Sequence, residues 1–224
     1  MTSFVSQSIA GHELLLLAER AAFCPTTRSL FVADVHLGKA ASFRSLGVPV
    51  PGGTTDAGLA RLGQLLRRWQ PQALYVLGDL LHGPAVQHST VIDKLANWRG
   101  QHSATRMVLV RGNHDQRAGD PPAQCGFDVI NEGHGVGPWW LCHEPHDDAA
   151  GHVLAGHVHP AYRVGNGRDR VRLPAFWIRP GHAVLPAFGE FTGGFAVRPH
   201  AGDQILVCDG ERVHRIPGVA LAAA

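Results

Sequence analysis

Length, composition and charge argue against a membrane protein and against a disordered chain. The protein has 224 residues, of which 45% are hydrophobic and 17% charged, as expected for a single globular domain over Met1–Ala224. No apolar run approaches the roughly 20 residues of a membrane span, and the first ten residues lack the features of a signal peptide, so we expect a cytoplasmic protein. The formal net charge of +2 neither requires nor excludes a nucleic-acid partner.

The first part of the chain predicts a hairpin, a strand and a loop. Leu14–Ala18 and Ala21–Cys24 are expected to form a short hairpin that leads into a strand over Ser29–Ala33. The stretch Lys39–Gly53 is rich in glycine, proline and small residues, which predicts a surface loop.

Two helices and two further strands follow. Thr54 or Thr55 is expected to cap the first helix and Pro71 to end it, with apolar residues at helical spacing at Leu59, Leu62, Leu66 and Trp69. The second helix carries Val91, Ile92, Leu95 and Trp98. With strands at Ala73–Leu77 and Met107–Val110, the order is β-α-β-α-β, which predicts parallel strands with right-handed crossovers.

From Phe127 onward the pattern changes to short apolar runs separated by Gly, Pro and Asn, which predicts strands with little helix. The fold class expected is α/β, with a second mixed sheet packed on the first. Leu173–Phe176 and Leu185–Phe188 are expected to be the two strands of a hairpin around Pro180–His182. The tail Val219–Ala224 is expected to fray.

Cysteines and histidines indicate the kind of site. The four cysteines are widely separated without a Cys-x-x-Cys pair, which argues against disulfides and against a structural zinc site. The 15 histidines favour a metal site of nitrogen and oxygen ligands. Five predicted strands end at such side chains, and ligands collect at the carboxyl ends of strands in an open α/β sheet. The candidates are Asp34, His36, Asp79, Asn113, His143, His157 and His159.

This set has the composition of a site for two metal ions. Two carboxylates against two divalent ions leave a charge of about +2, or about +1 with a bridging hydroxide, which attracts phosphate oxygens. His114 lies beside Asn113 and precedes Asp115, a spacing that would place an imidazole at the metals with a carboxylate near enough to orient and charge it. Such an imidazole suits protonation of a leaving alkoxide or stabilisation of the transition state.

These motifs resemble the five ordered motifs of the calcineurin-like metallophosphoesterases: Asp34-x-His36, Gly78-Asp79, Gly112-Asn113-His114-Asp115, His143 and Gly156-His157-x-His159. The resemblance implies a four-layer αββα sandwich and two divalent metal ions. One ion would be held by Asp34, His36, Asp79 and His159, and the second by Asp79, Asn113, His143 and His157. Asp79 would bridge, His114 would sit over the scissile phosphate, and a bridging hydroxide would attack phosphorus in line. Cys142 departs from the glycine that many members have before the fourth-motif histidine.

The flanking sequence resembles a narrower bacterial branch, the PdeM-like, ligase-associated DNA damage response phosphoesterases. The matching pieces are Ala33–Lys39, Phe43–Arg44, Gly47–Pro51, Cys142–Pro145 and Leu185–Gly194. The branch implies nuclease or phosphodiesterase action on DNA in repair, with manganese as the usual metal and iron, zinc or magnesium as alternatives. It also suggests a functional association with an ATP-dependent DNA ligase. The oligomeric state is not fixed by the sequence.

Several residues near the motifs are candidates for substrate binding. His82 either touches substrate or caps the following loop, while Lys39 and Arg44, with Phe43, form a basic and aromatic group where a base could stack. Arg163 belongs to a basic hairpin that either grips a nucleic-acid backbone or is a solvated turn partly neutralised by Asp169. The other arginines of this hairpin are Arg168, Arg170 and Arg172.

Two other functions remain open at this stage. The same site could act on a small nucleotide or nucleotide-linked substrate, in which case a closed pocket is expected in place of an open groove. Alternatively, the chain could be an inactive scaffold of this fold that binds a protein partner.

Overall fold

The computed structural model describes residues 4–148, 150–166 and 169–217, which form two packed mixed β-sheets with helices on one side. The expected α/β class with two mixed sheets is therefore confirmed. The predicted tail Val219–Ala224 and Arg168 lie outside the described residues. Within the described residues, no helix combines the length and apolar character needed to cross a membrane.

The first sheet has seven strands that are neighbours in chain order. They are β1 (Phe4–Ile9), β2 (His12–Leu17), β3 (Ala21–Cys24), β4 (Ser29–Val32), β5 (Ala73–Leu77), β6 (Arg106–Val110) and β7 (Asp128–Ile130). β1 to β4 pair antiparallel, and β4 to β7 pair parallel. The hairpin and the β-α-β-α-β order predicted from the sequence are both present.

Four α-helices and two short 3-10 turns lie between β4 and β7. The helices are α1 (Lys39–Ser45), α2 (Thr54–Trp69), α3 (Thr90–Gln101) and α4 (Asn113–Ala118), and the 3-10 turns are Pro84–His88 and Ala123–Cys125. The described residues after Cys125 contain no helix.

Two local predictions for the helices were wrong. Lys39–Gly53 is not all loop, because its first seven residues contain no glycine or proline and form α1, with Ala40 buried. The N-cap of α2 is Gly53 in the left-handed conformation, without a side-chain cap, so neither Thr54 nor Thr55 caps it. A glycine supplies the positive φ of 79° at this position without a Cβ clash.

The second sheet contains the remaining nine strands. They are β8 (His134–Val136), β9 (Trp139–Leu141), β10 (His152–Ala155), β11 (Pro160–Val164), β12 (Val171–Ile178), β13 (His182–Val184), β14 (Phe195–Ala196), β15 (Gln204–Cys208) and β16 (Val213–Arg215). Its main order is β14-β11-β12-β13-β10-β9-β8, while β15 joins β12 to β16. The predicted hairpin is β12 with β13, but Leu185–Phe188 lies beyond β13, where Ala187 bridges to Ala33 of the first sheet.

Alternation of side chains along the strands separates two large cores. On β5, Leu74 and Val76 face the helices, whereas Tyr75 and Leu77 face the second sheet. The helix side packs against Leu62 and other apolar residues of α2 and α3. Because both faces of β4, β5 and β6 are buried, these strands hold their carboxyl ends at one fixed edge.

Candidate metal centre

The carboxyl ends of β4, β5, β6 and β10 meet at one edge of the two sheets. Backbone hydrogen bonds join their loops: the amide of Asp34 donates to the carbonyl of Gly78 at 3.1 Å, and that of His36 donates to Asp79 at 2.8 Å. The loop after β10 is joined to the loop after β4, because the His157 amide donates to both carboxylate oxygens of Asp34, at 3.1 and 3.0 Å. Residues from both sheets are thus fixed relative to one another.

Four of the candidate ligands form a first cluster. His36 Nε2 lies 3.2 Å from His159 Nε2, and His159 Nε2 lies 3.3 Å from Asp34 Oδ1. Asp79 Oδ2 is 3.8 Å from His36 Nε2. Asp34, His36 and His159 together have the geometry of a possible metal site.

The other oxygen of Asp79 faces a second cluster. His143 Nε2 is 3.5 Å from Asp79 Oδ1, 2.9 Å from Asn113 Oδ1 and 3.1 Å from His157 Nδ1. Asn113 Oδ1 is also 3.2 Å from His157 Nδ1. All seven predicted ligand residues therefore converge, and Asp79 lies between the two groups.

The hydrogen bonds of the outer ring nitrogens show that these clusters suit cations. Nδ1 of His143 lies 3.1 Å from the carbonyl of Leu77, and Nδ1 of His159 lies 3.0 Å from that of Thr192. A carbonyl only accepts, so each Nδ1 donates and, in the neutral ring, Nε2 presents a lone pair to its cluster. Imidazole lone pairs meeting carboxylate and amide oxygens are a donor set that fits divalent metal ions.

The protonation states agree with such a site. Burial lowers the pKa of His36 far below its usual value, and the nearby Lys39 lowers it further, so this ring is neutral. Burial is the largest influence on the pKa of His159 and acts to lower it, but the hydrogen bond and charge of Asp34, together with the hydrogen bond to the Thr192 carbonyl, raise it overall. A cation held by this cluster would compete with a proton on His159.

Five of the seven candidate ligands have a backbone conformation that is rare for residues other than glycine. Their φ angles are positive: Asp34 54°, His36 50°, Asp79 56°, His157 66° and His159 50°. Such conformations cost about 1–3 kcal/mol each and concentrate at functional sites, where the surrounding structure enforces them. This concentration is independent support for a functional site at this edge.

Two glycines make the close approach of the motifs possible. A Cβ on Gly78 would collide with the imidazole of His143, and a Cβ on Gly112 would collide with the carboxylate of Asp79. Gly78 also has a φ of 80°, which disfavours any L side chain.

His114 reaches the first cluster, but Asp115 does not orient it. The rings of His114 and His36 are 4.9 Å apart, and His114 Nδ1 donates to the carbonyl of His82 at 2.8 Å. Asp115 instead accepts backbone amide hydrogens, including those of Asp79 at 2.7 Å and Leu81 at 3.1 Å. The expectation that Asp115 would orient His114 is corrected for a physical reason. Asp115 is the third residue of α4, so its carboxylate turns back to accept from the N-cap amide of Gly112 at 3.1 Å, as well as from the loop after β5.

The predicted substrate-binding residues lie at different distances from the clusters. Lys39 is half-buried beside Asp34 and Asp79. Burial lowers the pKa of Lys39, and the charges of the two carboxylates offset only part of this effect. His82 stacks on His114 with ring centroids 5.1 Å apart, and burial is the main cause that lowers its pKa to about 4. Arg44 donates a hydrogen bond to the carbonyl of Pro51 at 3.0 Å. Arg163 lies on β11, four residues beyond His159.

The sequence did not single out three residues that support or border the site. The Thr192 carbonyl accepts hydrogen bonds from both His159 and Lys39. Glu132 accepts from the backbone amide of His143 at 2.6 Å. Arg20 lines a cavity together with His159. Thr192 lay within the flanking piece that resembled the narrower branch, but Glu132 and Arg20 carried no motif or spacing signal.

The fold places imidazole, carboxylate and amide ligands at the carboxyl ends of strands from two packed mixed sheets. This combination defines a metal-dependent phosphoester hydrolase. The sequence profile of the family described as calcineurin-like phosphoesterase matches residues 27–157. The chain belongs to the calcineurin-like phosphoesterase family, as its motifs predicted. This fold implies divalent metal ions.

Solved structures include a relative of nearly the same length. The crystal structure of Pseudomonas putida nuclease MPE is 40% identical, with a TM-score of 0.85 over 96% of this chain and 100% of that chain. This likeness supports the narrower branch indicated by the flanking sequence. AQ665 from Aquifex aeolicus, a protein of unknown function, is 19% identical over 63% of this chain and 81% of that chain, with a TM-score of 0.41. Yfce, a phosphoesterase from E. coli, is 16% identical over 84% of this chain and 97% of that chain, with a TM-score of 0.42. Among curated proteins, no significant match is found.

Proposed function

We propose that this single-domain protein is a manganese-dependent phosphodiesterase that cuts DNA, in the setting of DNA repair. The main support is the 40% identity to a nuclease over 96% of the chain, together with the convergence of all seven candidate ligands. A functional association with an ATP-dependent DNA ligase belongs to the same proposal and rests on the resemblance of the flanking sequence alone.

The roles proposed for the ligand residues follow from their positions. Asp34, His36, Asp79 and His159 would hold one ion, and Asp79, Asn113, His143 and His157 the other. Two divalent ions in these clusters would withdraw charge from the phosphoryl oxygens and lower the pKa of the water that attacks phosphorus. The carbonyls of Leu77 and Thr192 keep two of the imidazoles in the tautomer that leaves Nε2 free.

His114 is placed to assist the leaving oxygen. Because Nδ1 donates to the carbonyl of His82, its Nε2 is the ring atom that remains for the substrate. A proton on Nε2 can pass to the departing alkoxide, or it can stabilise negative charge on a phosphoryl oxygen. Lys39, half-buried beside Asp34 and Asp79, adds a positive charge at the same edge.

The proposal is tested by a substrate panel on the purified protein loaded with manganese. Bis(p-nitrophenyl) phosphate, p-nitrophenyl phosphate, single-stranded DNA and duplex DNA are compared, with magnesium, zinc and iron as alternative metals. We expect turnover of the diester and of DNA, and a loss of about 10²- to 10⁴-fold in kcat for His114→Ala. Absence of turnover of every ester would overturn the proposal, and turnover of small esters without DNA would favour a small nucleotide substrate.

A further inference from the structure

Arginines gather on one face of the second sheet beside the candidate metal centre. Arg163 on β11 is directly opposite Arg172 on the antiparallel strand β12. Arg170 precedes Arg172 by two residues and therefore projects to the same side as the strand begins. Arg163 and Arg170 line a cavity of about 470 Å³ together with Arg198, which follows β14. We call Arg163, Arg170, Arg172 and Arg198 the arginine face.

The arginine face continues from the metal centre. A cavity of about 190 Å³ is lined by His159 of the first cluster and by Arg172. Because Arg172 pairs with Arg163, this cavity neighbours the larger one. The step from His159 to Arg163 is four residues of chain, about 13 Å at about 3.3 Å per strand residue. The paired arginines thus connect the cavity at a candidate metal ligand with the cavity farther along β11.

The charges of the arginine face are not neutralised within the described residues. None of its four arginines has a carboxylate within 4.0 Å there, whereas Arg106 pairs with Asp128 at 2.7 Å and Arg179 with Asp203 at 3.2 Å. Like charges directly opposite on neighbouring strands destabilise a sheet. The arrangement therefore does not stabilise the fold, whereas a bound polyanion would neutralise these charges.

We propose that the arginine face binds the phosphodiester backbone of a nucleic-acid strand on one side of the scissile bond. The inference rests on the proposed function, since it extends the substrate of the metal centre. Contacts to phosphates position a strand and do not read its bases, so binding is independent of sequence. Arg163 lies about 13 Å of strand from His159, so a substrate must extend well beyond the scissile phosphate to contact it. A short ester does not reach it, which makes the polymer the better substrate.

The test measures binding separately from cleavage. The full chain carrying His114→Ala and loaded with manganese is titrated into fluorescein-labelled DNA, either a 20-mer or a dinucleotide, and anisotropy is followed from 50 to 200 mM NaCl. Arg163→Gln is the main variant, because among the described residues the Arg163 side chain forms no hydrogen bond that would be lost, whereas Arg172 donates to the carbonyl of Gly194 at 3.2 Å. The matched control is Arg67→Gln, an exposed arginine of α2.

Arg163→Gln is expected to weaken binding of the 20-mer several-fold and to reduce the magnitude of the slope of log K against log salt by about 0.7–0.9. The ratio of dinucleotide to 20-mer affinity should rise, and Arg163→Lys should keep most of the slope. The inference is overturned if the slope and affinity of Arg163→Gln equal those of Arg67→Gln. If wild-type protein cleaves no ester, the proposed function fails, but this titration still reports on the arginine face.

Discussion

Replacing Gly78 with alanine should disrupt the candidate metal centre through a steric clash and backbone strain. Gly78 has a φ of 80°, and a Cβ there would collide with the imidazole of His143. His143 is 1% exposed and is held by the carbonyl of Leu77 and by Asn113, so its ring has little room to move away. The new methyl group must displace a candidate ligand or shift the loop that carries Asp79.

Gly47 provides a matched control for the magnitude. It has nearly the same φ, 79°, but no atom lies within 4 Å of its would-be Cβ. Alanine in this conformation costs about 1–2 kcal/mol, which is the whole effect expected for Gly47→Ala. At Gly78 the collision adds about 1–3 kcal/mol of overpacking, so the free energy of unfolding should fall by about 2–5 kcal/mol.

The two variants are compared by urea unfolding, followed by tryptophan fluorescence, and by the manganese bound per chain after dialysis. Gly78→Ala should unfold at lower urea than Gly47→Ala and should retain less manganese, because the displaced ring belongs to the second cluster. Equal unfolding free energies for the two variants, with equal manganese content, would refute the close approach of Gly78 to His143.

Three further predictions address the metals and the second sheet. Asp79→Asn should lower diester turnover by more than about a hundredfold and reduce bound manganese, because Asp79 faces both clusters. Mutating residues that only hydrogen-bond to metal ligands already costs about 10- to 100-fold in metal affinity or activity. Normal metal content in the variant would contradict the placement of Asp79 between the clusters. Removing metal with a chelator should lower the melting temperature, because metal ions held by the two clusters would bind, and so stabilise, only the folded state. An unchanged melting temperature would argue against metals in these clusters. Asp203 is buried, which alone would raise its pKa, but hydrogen bonds from His200, Trp177 and Arg179 outweigh burial and lower it. Asp203→Asn should therefore destabilise the protein by about 1–3 kcal/mol at pH 7. Because the folded-state pKa of Asp203 lies below the usual value of about 3.9, the difference in unfolding free energy from wild type should shrink as pH falls below about 4. Urea titrations across this pH range measure the difference, and a difference that does not change with pH would contradict the role of the Asp203 charge.

The sequence predicted the convergence of the candidate ligands because these residues follow strands of simple pattern. Strands β5 and β6 are short continuous apolar runs, and parallel pairing forces their carboxyl ends to the same edge. Asp79 and Asn113 were therefore expected to meet before any distance was known. The close approach of Gly78 to His143 and of Gly112 to Asp79 emerges only from the structure.

Other features depend on contacts between distant segments, which a local pattern does not encode. Helix α1 has only seven residues and no N-terminal side-chain cap, so its propensity alone would not distinguish it from a loop. Leu185–Phe188 repeats the letters of a strand segment, but Ala187 pairs with Ala33 of the other sheet. For Asp115 a local signal did exist: an acid three residues after Gly112, at the start of a helix, commonly bonds back to the helix amides.

Hydrogen bonds within the protein join the loops that carry ligands as far apart in sequence as Asp34 and His159. The loops after β4 and β5 are joined by the amides of Asp34 and His36, and the loop after β10 is joined to them through the Asp34 carboxylate. Buried carbonyls meanwhile set the imidazole tautomers. Ligand side chains held by contacts of this kind, on residues with rare positive φ angles, would cost a bound ion little affinity for their ordering.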